Sequence, residues 1–249
     1  MIVFDNVHKA FGDKKVLQGF SLEVEEGETM VIIGYSGTGK SVAIKHIVGL
    51  LLPDNGTVFV DGQEVPALSR RELSELRAKI GYVFQFAALF DSMSIGDNVA
   101  MGLRKQGTMT GQEIAARVAE VLDLVDLPNV EDKFPAELSG GMRKRVGLAR
   151  AIAQRPKYIL YDEPTTGLDP VTSAVIDDLM VRTRDRLGVT SIVITHDMRS
   201  AFRVGTRIAM LNEGVVRQVG TVDEIRHSTD ELVRQFVEGR AELDHAAGV

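Results

Sequence analysis

The chain has 249 residues, 44% of them hydrophobic, which is enough apolar material for one large core or a domain with a subdomain. A formal net charge of −6 argues against a surface built to neutralise nucleic-acid phosphates, so no nucleic acid is expected as a partner. The absence of cysteine excludes disulfides and thiolate metal sites, and with no basic leader and no apolar run near the ~18 residues that span a bilayer the chain reads as soluble and unexported.

Residues 2–62 are strand-rich, with candidate strands at 2–4, 20–24, 29–33 and 57–60, the last followed by an Asp61-Gly62 turn. The strand at 29–33 runs into Gly34, Tyr35, Ser36, Gly37, Thr38, Gly39, Lys40 and Ser41, which fill the phosphate-loop pattern G-x-x-x-x-G-K-[ST]; an apolar helix is expected from Ser41 to Val48. Glycines let consecutive N–H groups turn toward phosphate oxygens, and the helix N-terminus adds the positive end of its dipole. In this pattern Lys40 reaches the β- and γ-phosphates and the Ser41 hydroxyl ligates Mg²⁺.

Ser69 with Glu72 and Thr110 with Glu113 have capping-box spacing, and the second pair opens a helix with Ile114, Val118, Val121 and Leu122 on one face. A strand-like run at 80–84 ends at Gln85, after which no strand is expected between about 87 and 155. Strands return at 158–161, 191–195, 207–211 and, as a core strand, 214–219, with a helix over 171–187. The pattern is an α/β core interrupted by helices.

The apolar strand at 158–161 runs into Asp162 and Glu163. Beside a phosphate loop, an aspartate so placed suits Mg²⁺ and the next carboxylate suits an attacking water, although a strand that merely enters an acidic turn has the same local pattern. Ser139 can cap a helix starting near Gly141, whose exposed N–H groups make a second anion-seeking surface. Arg143, Lys144 and Arg145 read as a solvated helix face or as partners in intersubunit salt bridges, in preference to a lipid-headgroup contact.

Taken in order and spacing, residues 34–41, Gln85, the run Leu138, Ser139, Gly140, Gly141 and Met142, the pair Asp162 and Glu163, the turn Gly167, Leu168 and Asp169, and His196 resemble the motifs of the ATP-binding cassette (ABC) family. The resemblance covers nearly the whole chain and implies a P-loop NTPase with the ABC-ATPase fold: an α/β, RecA-like core in residues 1–86 and 156–227, an N-terminal antiparallel β subdomain, and an α-helical subdomain inserted over 87–155. One ATPase domain then fills residues 1–240, and 228–249 forms a C-terminal extension. The cofactors implied are ATP and Mg²⁺. Phe11 takes the place of the aromatic residue that stacks on adenine; residues 34–41 with Val42 hold the phosphates; Ser41, Gln85 and Asp162 serve the metal. Glu163 polarises the attacking water, His196 senses the γ-phosphate, and Gln85 reports to a partner. Residues 138–142 are the signature, which acts on the ATP of a second copy packed head to tail, and residues 167–169 are the D-loop. Met142 stands where glutamine is usual, Tyr35 where proline is frequent, and Phe11 lacks the hydroxyl of the common tyrosine.

The stretches 37–50, 81–95 and 138–150 are similar to the ATPases of MCE/Mla-type lipid transporters, and 233–239 to that group's C-terminal extension. This implies a peripheral subunit on the cytoplasmic face of the inner (plasma) membrane, a separate permease, an MCE-domain protein, a small regulatory subunit, and phospholipid or other hydrophobic cargo. The competing reading is an amino-acid or methionine-type importer. Soluble ABC ATPases of DNA repair or the ribosome fit less well, since this is one compact, acidic cassette. Ser228 to Glu231 has capping-box spacing for a helix in the tail, which is expected to lose order after Gly239.

Overall fold

The structure, a computed structural model, describes residues 1–240. Its middle layer is a six-stranded sheet in the order β10-β9-β3-β8-β7-β6, made by β3 (Thr29–Ile33), β6 (Ile80–Val83), β7 (Tyr158–Asp162), β8 (Thr190–Ile194), β9 (Arg207–Asn212) and β10 (Val215–Thr221). The pairs β9/β3, β3/β8, β8/β7 and β7/β6 are parallel, and β10 returns antiparallel on β9. A second, four-stranded antiparallel sheet has the order β2-β1-β4-β5, from β1 (Ile2–Phe11), β2 (Lys14–Val24), β4 (Asn55–Val60) and β5 (Gln63–Glu64).

Side chains of a strand alternate between faces, and both faces of the central strands are apolar. On β3, Met30 and Ile32 join a core with Ile2, Phe4, Phe20, Val58 and Val60 of the antiparallel sheet and with Ala43, Ile44 and Ile47 of α1 (Lys40–Ile47). Val31 and Ile33 face the opposite core, where α3 (Ile95–Gln106), α4 (Gly111–Leu124), α5 (Gly140–Ile152) and α6 (Pro170–Leu187) pack. One strand thus ties together two cores, and the loop that leaves it sits between them.

Several sequence expectations hold in detail. Ser69 and Thr110 cap α2 (Arg70–Ala78) and α4 in full capping boxes. Asp61 and Gly62 (φ 51° and 76°) make the two-residue turn of the β4–β5 hairpin. Ser139 caps α5, accepting from the Met142 N–H at 3.3 Å. No strand lies between 87 and 155 among the described residues.

Others are corrected. The first strand continues to Phe11 because register shifts after Phe4, with Asn6 at φ 49°, carry the ladder past the point where alternation fails. β10 is an edge strand with mostly exposed side chains, not a core strand. The tail helix α9 (Glu231–Glu238) is capped by Asp230, whose carboxylate accepts from Leu232 and Val233, while the Ser228 hydroxyl is engaged by Gln218 at 2.5 Å. The expected loss of order past Gly239 falls on 241–249, outside the described residues. The shorter helices α7 (Met198–Val204) and α8 (Val222–Arg226) complete the fold, and among the described residues no helix is long and apolar enough to cross a membrane.

Candidate functional site

β3, β8 and β7 lie side by side and in register, Ile32 opposite Ile194 and Ile194 opposite Asp162, so whatever follows each strand emerges at one edge. From β3 comes the phosphate loop, from β7 Asp162 and Glu163, and from β8 Thr195 and His196. The loop passes so close to β9 that a Cβ on Gly34 would lie 2.3 Å from the Leu211 carbonyl oxygen, and one on Gly39 2.8 Å from Val16. With φ of 150° and 103°, these two positions require glycine on both counts.

A cleft of about 530 Å³ opens over this edge, lined by Phe11, Ser36, Gly37, Gly39, Lys40, Ser41, Val42, Gln85, Glu163 and His196, with Lys14, Val16 and Thr166 added. Gly34, Tyr35 and Thr38, in the same loop, and Asp162, at the end of β7, are not among the lining residues. The Lys40 ammonium donates to the Gly34 and Tyr35 carbonyls at 2.7 and 2.9 Å. Burial pushes its pKa down, and the charges of Glu163 and Asp162 oppose that shift. Asp162, itself buried, accepts from the Ser41 hydroxyl at 2.6 Å and from the Tyr82 hydroxyl at 3.1 Å. Burial first, then the Asp162 charge, drives the Tyr82 phenol well above its ordinary pKa, so it stays a donor. Glu163 has φ 52°, a left-handed conformation that costs a non-glycine residue about 1–2 kcal/mol. Its Oε2 accepts from Thr166 Oγ1 at 2.8 Å and is 2.9 Å from His196 Nδ1, which fixes the carboxylate at the cleft.

The signature residues 138–142 and the turn at 167–169 line no part of this cleft; they meet one another instead. A Cβ on Gly140 would touch Leu168, and one on Gly141 would lie 2.5 Å from Thr172 Cγ2, at the start of α6. Asp169 caps α6, accepting from the N–H groups of Val171 and Thr172 at 3.0 Å and from the Thr172 hydroxyl, which with those N–H groups holds its pKa down. This forms a second surface beside the first.

Of residues 143–145, Lys144 corrects the reading of a solvated helix face, while Arg143 is exposed as that reading has it and Arg145 is half-buried. Arg143 donates to the Leu138 carbonyl and Arg145 to that of Asp126, both at 2.9 Å. Lys144 is buried and donates to the Thr166 carbonyl at 2.7 Å and to that of Glu163 at 3.5 Å, linking α5 to the turn that carries Glu163. Burial lowers its pKa to about 8, partly opposed by Glu163. Nothing in the local pattern of Tyr82 and Thr166 separates them from core or surface residues, and the sequence marks Lys144 only as one member of a basic cluster.

A parallel sheet with a phosphate loop on its central strand, an antiparallel sheet over one face and a helical layer over the other is the ATP-binding cassette fold. A family model described as "ABC transporter" matches residues 17–166, and the chain belongs to that family. It is 40% identical over 232 residues to the "Probable ribonucleotide transport ATP-binding protein mkl" of Mycobacterium leprae, covering 93% of this chain and 67% of that one. It is 41% identical to "Protein TRIGALACTOSYLDIACYLGLYCEROL 3, chloroplastic" of Arabidopsis thaliana (94% and 72% covered) and 42% identical to the "Methionine import ATP-binding protein MetN" of Caulobacter vibrioides (100% and 76%). Among solved structures, the dimeric post-hydrolysis state of the ATP-binding cassette MJ0796 bound to ADP and Pi superposes with a TM-score of 0.82 at 35% identity, covering 89% of this chain and 99% of that one. The chain is therefore an ATPase that uses ATP with Mg²⁺, and the ATP-binding subunit of an ABC transporter.

Proposed function

We propose that this subunit drives a lipid transporter of the MCE/Mla type, hydrolysing ATP in the cleft at the carboxyl edge of β3, β8 and β7. The observation that carries the catalytic part is the convergence there of Lys40, Ser41, Asp162, Glu163 and His196. The oxygen donors suit Mg²⁺: the Ser41 hydroxyl and the Asp162 carboxylate, 2.6 Å apart, with Gln85 on the cleft wall, would hold the ion. When bound, the ion neutralises charge on the β- and γ-phosphates.

The residues divide the remaining work. Lys40 exchanges two loop carbonyls for phosphate oxygens, so its charge is already desolvated before ATP arrives. The N–H groups at the start of α1 receive the phosphates, and Phe11 stacks on the base. Glu163 accepts a proton from water as its oxygen attacks the γ-phosphorus; the bond to the bridging oxygen breaks, and ADP leaves with inorganic phosphate. Thr166 and His196 hold the carboxylate for that step, and His196 adds a contact to the γ-phosphate. Ser139 and the start of α5 act on the ATP of a second copy, whose own signature completes this cleft.

The subunit sits on the cytoplasmic face of the inner membrane and docks on a separate permease near Gln85 and the helical layer over 87–155. The lipid assignment is supported by the resemblance of residues 37–50, 81–95 and 138–150 to MCE/Mla ATPases, and one relative carries the name of a galactolipid. The ribonucleotide and methionine named for other relatives keep small-solute import as the second reading.

Purification from gently solubilised membranes, with mass spectrometry of accompanying proteins and lipids, tests this. Co-purification of a permease, an MCE-domain protein and phospholipid is the expected result. A permease with a small-solute binding protein instead replaces the lipid reading, and no membrane partner overturns both.

A further inference from the structure

The tail helix α9 touches the phosphate loop. The ring of Phe236 meets that of Tyr35 edge to face, with centroids 5.1 Å apart and planes at 87°. Val233 of α9 is fully buried, and Leu232, Phe236 and Val237 pack on the same core as Tyr35. At its start the helix is anchored by Asp230, which caps it and pairs with Arg217 of β10 at 2.8 Å. The other end of the contact is the loop itself. The Tyr35 carbonyl accepts from Lys40 Nζ at 2.9 Å and from Thr38 Oγ1 at 2.8 Å, so the residue whose ring is held by α9 shapes the loop and holds its lysine.

We propose that α9 is a strut of the phosphate loop and that Phe236 is a positioning residue which tightens ATP binding through Tyr35. The proposal rests on the reading that this loop holds the phosphates. A loop whose second residue is pinned loses little freedom when phosphate arrives, and preorganisation of this kind appears as affinity. An edge-to-face aromatic pair sets the scale at roughly three- to tenfold in Kd. Because coupling is reciprocal, bound nucleotide must steady α9 by the same factor, although no atom of α9 lines the cleft. Any partner that grips or lifts the C-terminal segment would thereby adjust how tightly the subunit holds its nucleotide.

The test uses the full chain and the non-hydrolysable analogue adenylyl imidodiphosphate with Mg²⁺. Phe236→Ala is expected to raise Kd about three- to tenfold, and Phe236→Tyr, which keeps the ring, to stay within twofold of the native chain. In steady state KM should rise by the same factor while kcat moves less than twofold. Tyr35→Ala should match Phe236→Ala, and the double variant should be no weaker than either. Analogue binding should slow amide exchange in residues 231–238 of the native chain and not of Phe236→Ala. If Phe236→Ala does not fold, Phe236→Leu carries the same comparison.

An unchanged Kd in the ring-less variant, additive effects of the two substitutions, or exchange in α9 indifferent to nucleotide would each overturn the strut. Lys40→Ala separates this from the reading beneath it. If that variant binds the analogue like the native chain, the phosphate-loop assignment itself fails; if it loses binding while Phe236→Ala does not, only the strut fails.

Discussion

The helices α1 and α5 both present an N-terminus that the sequence associates with phosphate, yet they begin differently. α1 starts from Gly39 in a left-handed conformation with no side-chain cap, whereas α5 starts from Ser139, whose hydroxyl takes the Met142 N–H. The uncapped end lies in a cleft lined by Lys14, Lys40, Glu163 and His196; the capped end meets the turn at 167–169 and, among the described residues, lines no part of that cleft. One terminus thus lies in a lined cleft, and the other, on the function proposed above, is a half-site for a second copy. A helix end left without a side-chain cap among converging charged groups is a stronger pointer to a ligand than the motif that labels it.

The difference can be broken most severely at Glu163. Glu163→Gln is expected to lower ATP turnover by roughly 10²- to 10⁴-fold while Mg-ATP binding persists, measured by phosphate release and by equilibrium titration. Substantial turnover in that variant would remove Glu163 from its role. Ser139→Ala tests the half-site: turnover should fall on the order of 10²-fold, with ATP affinity of the isolated subunit unchanged. A parallel loss of affinity in the isolated subunit would place the signature in the same cleft as α1 and erase the distinction.

Lys144 is the physical link between the regions, and its removal should have the mildest effect. Lys144→Met is expected to reduce kcat roughly tenfold with little change in KM, because it releases the turn that aims Glu163 without touching ATP. Burial lowers the Lys144 pKa from 10.5 to about 8, with the Glu163 charge opposing, so native kcat should decline as pH rises through about 8 and that decline should vanish in the variant. Stability has the opposite sign. Between those two values the unfolded chain binds more protons than the native one, so the cost of the buried charge, full below pH 8, is relieved as pH rises. Thermal unfolding of both chains across that range reads it directly.

Much of the architecture was legible because it rests on local chemistry. Apolar runs at 29–33 and 158–161 admit few alternatives to buried strands, and the caps at Ser69, Thr110 and Ser139 are side chains bonding three residues ahead. The missed features depend on distant partners. β1 runs past Phe4 only because β2 and β4 tolerate a bulge at Asn6. One missed start is local: α3 opens at Ser94, whose hydroxyl takes the Asp97 N–H without the reciprocal bond that completes a capping box. Lys144 looked solvated since nothing nearby in sequence shows that a carbonyl 22 positions on would receive it. The motif residues sorted by order and spacing; how Tyr82 and Thr166 support them appears only when three strands lie side by side.

The Phe11 ring, 49% exposed at the mouth of the cleft, leads to a conclusion about fuel choice. A phenyl face carries no donor or acceptor, and a base stacked on it is held by its π-surface, a property adenine and guanine share. If Phe11 stacks on the base as proposed, the ring would add contact area to the nucleotide without a group that tells adenine from guanine, and selectivity for the base would have to come from elsewhere in the cleft.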